Sequence, residues 1–236
     1  MVSFQNTRGR GIEVYDLASA ALFFVFSLFS VLWPETGRLR LGDSSVARGY
    51  LLAPVFLALG FLALSLGRFD FSRAPAFLRF VRRFYPQALF GPLFSESILL
   101  SGAVSGGASY DALFAGLDQA VFGFQPARAF SAALGAFPVC NEIMFGAYFS
   151  FYLMLVLTPW IPYFRGDEEE SGREVSILSL YMLFVYIFYA LFRVQGPKYW
   201  LPDLRAAGYV HFRGGIFTSF LTWCFGFADL SGAAFP

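Results

Sequence analysis

The stretch VSILSLYMLFVYIFYALF, residues 175–192, carries no charged side chain and decides the fold class. An apolar run of this length can cross the hydrocarbon core of a bilayer as a helix, since that core is about 30 Å thick. The polar stretch RVQGPKYWLPDLRAAGYVHFR, residues 193–213, follows it directly. Its charges are therefore expected where a membrane segment reaches the bilayer surface.

The stretch 193–213 concentrates cationic side chains. It holds Lys198, the only lysine among 17 basic residues, and His211, the only histidine. Lys198 and Arg205 enclose six residues and, with two further arginines at the ends of the stretch, could surround one anionic group. Lysine is a compact point charge and arginine a planar fork, which together suit phosphate. The alternative interpretation is that these charges only meet lipid headgroups beside a transmembrane helix.

The composition indicates an integral membrane protein. Hydrophobic residues make up 57% of the 236 positions and charged residues only 14%, whereas soluble domains are roughly 45–50% apolar. A formal net charge of +1 gives no reason to expect a nucleic-acid partner. Cys140 and Cys224 lie far apart and outside any CxxC or Cys/His cluster, so neither a metal nor another cofactor is predicted.

Apolar runs along the chain predict an all-α fold, a polytopic membrane helix bundle that forms a single membrane domain over residues 1–236. We expect about five transmembrane helices, at 17–33, 49–67, 88–104, 141–163 and 175–192. Shorter helices are predicted at the interface, within 106–139 and at 214–227. The acidic segment 165–174 is interpreted as a solvated loop, with a carboxylate site for a divalent metal as the alternative.

Two further features of the predicted helix bundle each have more than one interpretation. Between Pro75 and Pro86, apolar residues recur at helical spacing among arginines, which predicts a basic amphipathic helix lying in the interface. That helix could recognise anionic lipid or serve as a topology anchor. Glu96 falls within the predicted third crossing, where an ionisable group is expensive, so we expect it to face the bundle interior with a partner or a proton.

The arginines also predict the orientation. The segment between the second and third crossings has five arginines against one acid, and the positive-inside rule places such a segment in the cytoplasm. We therefore expect an inner-membrane or plasma-membrane protein with a cytoplasmic N-terminus. The loops 34–48, 106–139 and 193–213 would face the periplasm or exterior, or a lumen in a eukaryote.

Four stretches in the second half of the sequence resemble the membrane-bound type 2 phosphatidic acid phosphatase superfamily, and within it the inositol phosphorylceramide synthase-like branch. These stretches are LDQAVFGFQP (117–126), NEIMFGAYFSFYLMLVL (141–157), RVQGPKYWLPDLR (193–205) and GGIFTSFLTWCFGFADLSGAAFP (214–236). The resemblance covers 117–236 and implies a six-helix bundle with its active site at the outer membrane face.

The resemblance assigns roles to individual residues. The first family signature is a basic residue, six others and then Arg-Pro, which Lys198 and Arg205 match while Ala206 replaces the proline. These two side chains would be phosphate clamps, with Glu142, Asp118, Arg193 and His211 as possible supporting residues. The substrate implied is a phospholipid or another lipid-linked phosphate.

The second and third signatures, which supply the catalytic histidines, would follow the terminal Phe-Pro. The resemblance thus implies a phosphohistidine mechanism of lipid phosphatase or phosphotransferase type, with the sequence given incomplete at its C-terminus, lacking the sixth helix, and inactive as it stands. A catalytic role for His211 has no counterpart in the family motif. The alternative class is a non-enzymatic polytopic membrane protein, a scaffold or transporter component, whose basic loop contacts headgroups.

Overall fold

The fold is almost entirely helical and divides into two compact units. The computed structural model describes residues 11–36, 38–41, 44–207 and 213–230. Unit 1 contains the chain up to Gly107 together with Leu155–Leu191, and unit 2 contains Ala108–Met154 together with the chain from Phe192 onward. All contacts described below lie within one unit or the other.

The described residues form ten helices and one hairpin of two short antiparallel strands. The helices are α1 Val14–Leu32, α2 Arg48–Leu66, α3 Ala76–Val104, α4 Asp111–Phe122, α5 Pro126–Leu134, α6 Pro138–Phe164, α7 Glu168–Leu191, α8 Pro197–Trp200, α9 Pro202–Ala207 and α10 Ile216–Leu230. The strands are β1 Arg38–Leu41 and β2 Ser44–Ala47, paired so that Arg38 faces Ala47 and Leu41 faces Ser44.

Four of the described helices, α1, α2, α6 and α7, are long and apolar enough to cross a membrane. Their surfaces suit lipid, because only 6% of the most apolar window of α6 and 28% of that of α2 is buried within the protein. Apolar surface left uncovered on this scale marks an interaction surface for membrane or protein. The predictions of an all-α fold and of a membrane protein are thus supported at this coarser level.

Unit 1 is a bundle in which α1 packs against α2 and α7, and α3 packs against α7. Its core includes Phe26, Leu100 and Tyr186, which are almost completely buried. Small residues bring α1 and α2 close together: a β-carbon at Gly60 would overlap the ring of Phe24. Close approach through small residues is how helices pack when lipid surrounds them.

Charged side chains inside unit 1 are paired between helices. Glu96 of α3, only 6% exposed, accepts hydrogen bonds of 2.8 and 2.6 Å from the two terminal nitrogens of Arg48 at the start of α2. This confirms that Glu96 faces the interior and has a partner. Two-pronged pairing satisfies both carboxylate oxygens, which offsets the cost of removing the charges from water.

The basic amphipathic helix and the third crossing, predicted as separate elements, are one continuous helix of 29 residues, α3. Pro86 and Pro92 both lie inside it. Each proline removes one backbone donor, yet the packing of α3 against α7 outweighs that local loss. Pro75 does mark the start of this helix as its N-cap, but the interpretation of Pro86 as a boundary was wrong.

The acidic segment is part of a helix rather than a loop. Glu168, Glu169 and Glu170 form the first turn of α7, and the Asp167 side chain caps it by accepting a 2.9 Å hydrogen bond from the Glu170 amide. Carboxylates are stabilised at a helix N-terminus because the unpaired amides there carry partial positive charge. The β1–β2 hairpin was likewise not predicted, since the segment 34–48 was assigned only polar character.

Unit 2 contains α4, α5, the first part of α6 and the three helices α8, α9 and α10. The α10 helix packs against α6 through aromatic rings: Phe149 lies 5.7 Å, centroid to centroid, from both Phe217 and Phe220. The short helix predicted at 214–227 is thus observed as α10. The candidate phosphate-binding residues also belong to this unit.

Candidate phosphate-binding segment

The segment from Phe192 to Ala207 leaves α7 and forms two short helices separated by a bend. Gly196 has a positive φ of 84°, a conformation that glycine adopts at no steric cost. Pro197 then begins α8, where its missing donor is harmless. Leu201 is extended between α8 and α9, so Lys198 and Arg205 lie on different helices and do not share one continuous helical register.

Asp111, at the start of α4, holds this segment in place. Its carboxylate is buried, at 4% exposure for the residue, and accepts hydrogen bonds from the amides of Gln195 (3.0 Å) and Gly196 (2.9 Å). The Tyr110 amide donates in turn to the Arg193 carbonyl at 2.9 Å. These bonds satisfy backbone groups at a sharp turn and fix the course of the chain just before Lys198.

Lys198 is half-buried beside the aromatic ring that follows it in sequence. Its Nζ lies 4.7 Å from the centroid of the Tyr199 ring and 3.4 Å from the Tyr199 hydroxyl oxygen. An ammonium over the face of an aromatic ring is attracted by the ring's electrons. The positive charge predicted to meet phosphate is thus held near the start of α8.

Arg205 lies on α9, which is tied to α5 by an ion pair. The guanidinium of Arg128 donates through Nε and Nη2 to the carboxylate of Asp203, at distances between 2.8 and 3.1 Å. These hydrogen bonds hold the pKa of Asp203 below its ordinary value. The side chain of Arg205 and all of His211 lie outside what the structure describes, so the pair Lys198–Arg205 stays a prediction.

Glu142 caps α10. Its carboxylate accepts hydrogen bonds from the amides of Gly215 and Phe217, both at 2.7 Å, and from the amide and hydroxyl of Thr218, at 3.1 and 2.9 Å. The neighbouring Asn141 donates to the carbonyls of Gly135 and Arg213, both at 2.7 Å. The oxygens of Glu142 are therefore engaged in positioning the start of α10.

The remaining predicted residues lie nearby in unit 2. Asp118 is half-buried on α4, about two turns after Asp111 and so on a similar face of the helix. The Arg193 side chain is half-buried where the chain leaves α7. The structure thus joins Asp111 to the backbone at 193–196 and Asp203 to Arg128, two sets of contacts that motif reasoning did not identify.

One sequence signal could have indicated Asp111. An acidic residue that opens a predicted helix is a common capping position, and Asp111 follows a run of glycine and serine that favours a turn. Its partners lie more than eighty residues away in sequence, however. The pattern alone could predict that Asp111 accepts hydrogen bonds from backbone amides, but not which amides donate them.

Comparison of the chain with protein-family models, curated proteins and solved structures gave no match. The resemblance described above therefore remains a prediction carried by the residues themselves. The geometry of segment 192–207 has to be interpreted from its own contacts.

Proposed function

We propose that this chain is a polytopic membrane protein that binds the phosphate of a lipid through the segment 193–205, with Lys198 and Arg205 as the cations that contact it. The observation that carries the proposal is the anchoring of this segment by Asp111 through Gln195 and Gly196. A loop that is ordered before its ligand arrives loses less conformational entropy on binding. The ammonium of Lys198 can then contact the phosphate from a fixed position.

The ion pair between Arg128 and Asp203 supports the same proposal from the other end of the segment. It ties α9, the helix that carries Arg205, to α5. The ammonium of Lys198 and the planar guanidinium of Arg205 would contact different oxygens of one phosphate. Phosphate recognition of this kind needs no metal, because the charges are supplied by the side chains.

The topology that completes this proposal has five crossings, with the second half of α3 as the fifth. The N-terminus would be cytoplasmic and the segment 193–205 would face the periplasm, exterior or lumen, as the arginine distribution favours. A phosphate bound there would belong to a lipid of the non-cytoplasmic leaflet.

The enzymatic form of the proposal is a lipid phosphatase or phosphotransferase that works through a phosphohistidine. In that chemistry an imidazole attacks phosphorus, the leaving alcohol departs with a proton, and water or another alcohol then takes the phosphoryl group. Lys198 and Arg205 would stabilise the negative charge on the transferring group. The imidazoles that attack and donate the proton are expected from the family signatures that this sequence does not contain.

A headgroup-binding protein without catalysis is the second candidate. It is favoured by one observation, that the basic segment directly follows the apolar run 175–192, a position where cations commonly meet headgroups. The two candidates agree on the binding site and differ in whether phosphate is released.

Binding of short-chain phosphatidic acid to the purified chain in detergent, followed by calorimetry, tests the proposal. We expect Lys198→Ala to weaken binding about tenfold, the effect of losing one charge-assisted contact, and Lys198→Arg to retain most of it. Arg165→Ala, which removes an exposed charge at the turn between α6 and α7, is the control and should change nothing. Equal affinity of Lys198→Ala and the unmodified chain would contradict the proposal.

A parallel assay of phosphate release, made on the gene product together with any residues encoded beyond Pro236, separates the two candidates. Release that disappears in Lys198→Ala would support the enzyme. Binding without release would support the headgroup-binding protein.

A further inference from the structure

Unit 1 contains a cavity of about 380 Å³, and none of the residues predicted to bind phosphate is among those that line it. It lies where the start of α1, the segment before α3, the first half of α3 and the α6–α7 turn meet. Six charged side chains line it: Glu13, Arg79, Arg82, Arg83, Glu168 and Glu169. Its volume falls in the range of small-ligand sites, roughly 300–1,000 Å³.

Arg82, at the inner end of the cavity, is already paired. Its Nη2 donates to Asp16 at 2.6 Å and its Nη1 to the Tyr15 hydroxyl at 3.1 Å. Asp16 is completely buried and also accepts a hydrogen bond from the Tyr85 hydroxyl at 2.9 Å. The charge of Arg82 is thus balanced within unit 1, and this network forms a rigid base for the cavity.

Arg83 differs from its neighbour. Its Nη1 is buried, and no acceptor for it exists among the residues that the structure describes. Guanidinium donors stay charged under all ordinary conditions, and buried ones without an acceptor are rare. The rest of the Arg83 side chain is only half-buried and lines the cavity, so the remaining guanidinium donors can reach a ligand oxygen there.

The position of Arg83 is fixed by packing. A β-carbon at Gly172, in the second turn of α7, would collide with the Arg83 guanidinium. The same guanidinium lies 5.8 Å from the centroid of the Tyr15 ring. Arg83 is therefore held between α7 and α1 at the inner side of the cavity.

The outer edge of the cavity is acidic. Glu168 and Glu169 are exposed on the first turn of α7, and Glu168 makes only a long contact of 3.5 Å with the exposed Arg79. On the less exposed side the two arginines Arg82 and Arg83 outnumber the one carboxylate, Glu13, and on the exposed side the two glutamates outnumber Arg79. A simple anion would meet the glutamates on entry, and a simple cation would leave Arg83 without an acceptor.

We propose that this cavity binds a phosphate–ammonium zwitterion, with the phosphate oxygens accepting from Arg83 and the ammonium facing Glu168 and Glu169. An ethanolamine phospholipid headgroup and free phosphoethanolamine share this chemistry. The site is separate from the segment 193–205 and does not depend on its function.

Native mass spectrometry of the purified full chain with added lipid tests this site. Phosphatidylethanolamine and phosphatidylglycerol are the probes, because they share the phosphate and differ in the ammonium. We expect the unmodified chain to retain phosphatidylethanolamine at least several-fold better, and Arg83→Gln to lower that retention about tenfold. Arg73→Gln is the matched control, since it removes an exposed arginine that does not line the cavity.

A second variant keeps the test decisive even if Arg83→Gln does not fold. The double change Glu168→Gln and Glu169→Gln alters exposed side chains, and we expect it to abolish the preference for phosphatidylethanolamine without lowering phosphatidylglycerol retention. Equal retention of the two lipids by the unmodified chain, or no difference between Arg83→Gln and Arg73→Gln, would overturn the proposal.

Competition identifies the source of the zwitterion. If glycerophosphoethanolamine, which has no acyl chains, displaces the phospholipid at comparable concentration, then a free headgroup compound is the ligand. If it fails to displace the phospholipid, the lipid itself is the ligand.

Discussion

The two units of this chain satisfy their buried and half-buried carboxylates in opposite ways. In unit 1 the acids pair with arginines of other helices, Asp16 with Arg82 and Glu96 with Arg48. In unit 2 the acids accept from backbone amides, Asp111 at a turn and Glu142 at the start of α10. A carboxylate that pairs with an arginine of another helix holds the two helices together. A carboxylate that accepts hydrogen bonds from backbone amides fixes the path of a loop. The acids of unit 1 thus hold helices together, and the acids of unit 2 determine the course of its loops.

The largest effect on stability is expected when a paired acid is removed from unit 1. Asp16→Asn leaves Arg82 largely buried without its counter-charge, so we expect the free energy of unfolding in detergent to fall by about 3–5 kcal/mol. Denaturant or thermal unfolding measures this, with Glu169→Gln as an exposed control. A loss below about 1 kcal/mol, the size typical of surface pairs, would mean that the acids of unit 1 do not hold its helices together.

A change of intermediate size is expected in unit 2. Asp111→Ala leaves the amides of Gln195 and Gly196 without their acceptor, which should cost about 1–3 kcal/mol locally. We expect hydrogen exchange of these two amides to accelerate and phosphatidic acid binding to weaken, although Lys198 is unchanged.

Glu142→Ala is the matched control for that measurement. It should accelerate exchange at the start of α10 and leave Gln195 and Gly196 protected. If Asp111→Ala left the exchange of both amides unaltered, the anchoring role of this carboxylate would be refuted.

The smallest effect is expected for the exposed ion pair of Arg128 and Asp203 in unit 2. The hydrogen bonds from Arg128 lower the pKa of Asp203, so the pair is fully formed at neutral pH and is lost as the pH falls through that lowered pKa. Arg128→Gln should return the pKa of Asp203 toward its ordinary value, as NMR titration of its carboxyl carbon would show. The free energy of unfolding should hardly change, because both side chains are about half exposed.

An Asp203 pKa that is the same in Arg128→Gln as in the unmodified chain would mean that the pair does not form in solution. Arg165→Gln serves as the control, because it removes an exposed arginine elsewhere in the chain.

Features encoded locally were predictable from the sequence. The apolar runs that became α1, α2, α6 and α7 were identified because length and hydrophobicity alone select a membrane helix. The interior position of Glu96 followed from the cost of an ionised group at that depth. The short α10 was recognised because its apolar run is too short for a crossing.

Features that depend on distant partners were not predictable. Pro86 was taken as a boundary because its local effect is unfavourable, but packing against α7 carries α3 through it. The acidic residues at 168–170 were assigned to a loop because consecutive charged residues were taken to indicate a solvated segment. Their negative charges instead complement the dipole of α7. The anchoring of Gln195 by Asp111 joins residues that no local pattern relates, and the phosphate role of Lys198 stays a prediction.

The pairing of Asp16 with Arg82 also constrains how the protein is made. Residues emerge from the ribosome in order, so the first apolar helix is synthesised well before the arginine that neutralises its carboxylate. During that interval Asp16 must remain near water or be protonated, since an unpaired charge is poorly tolerated in lipid. Because Asp16 lies in the first turn of α1, just before the predicted crossing 17–33, its carboxylate can stay in water during that interval. Burial of this end of α1 against α3 is therefore the step that depends on the later arrival of Arg82.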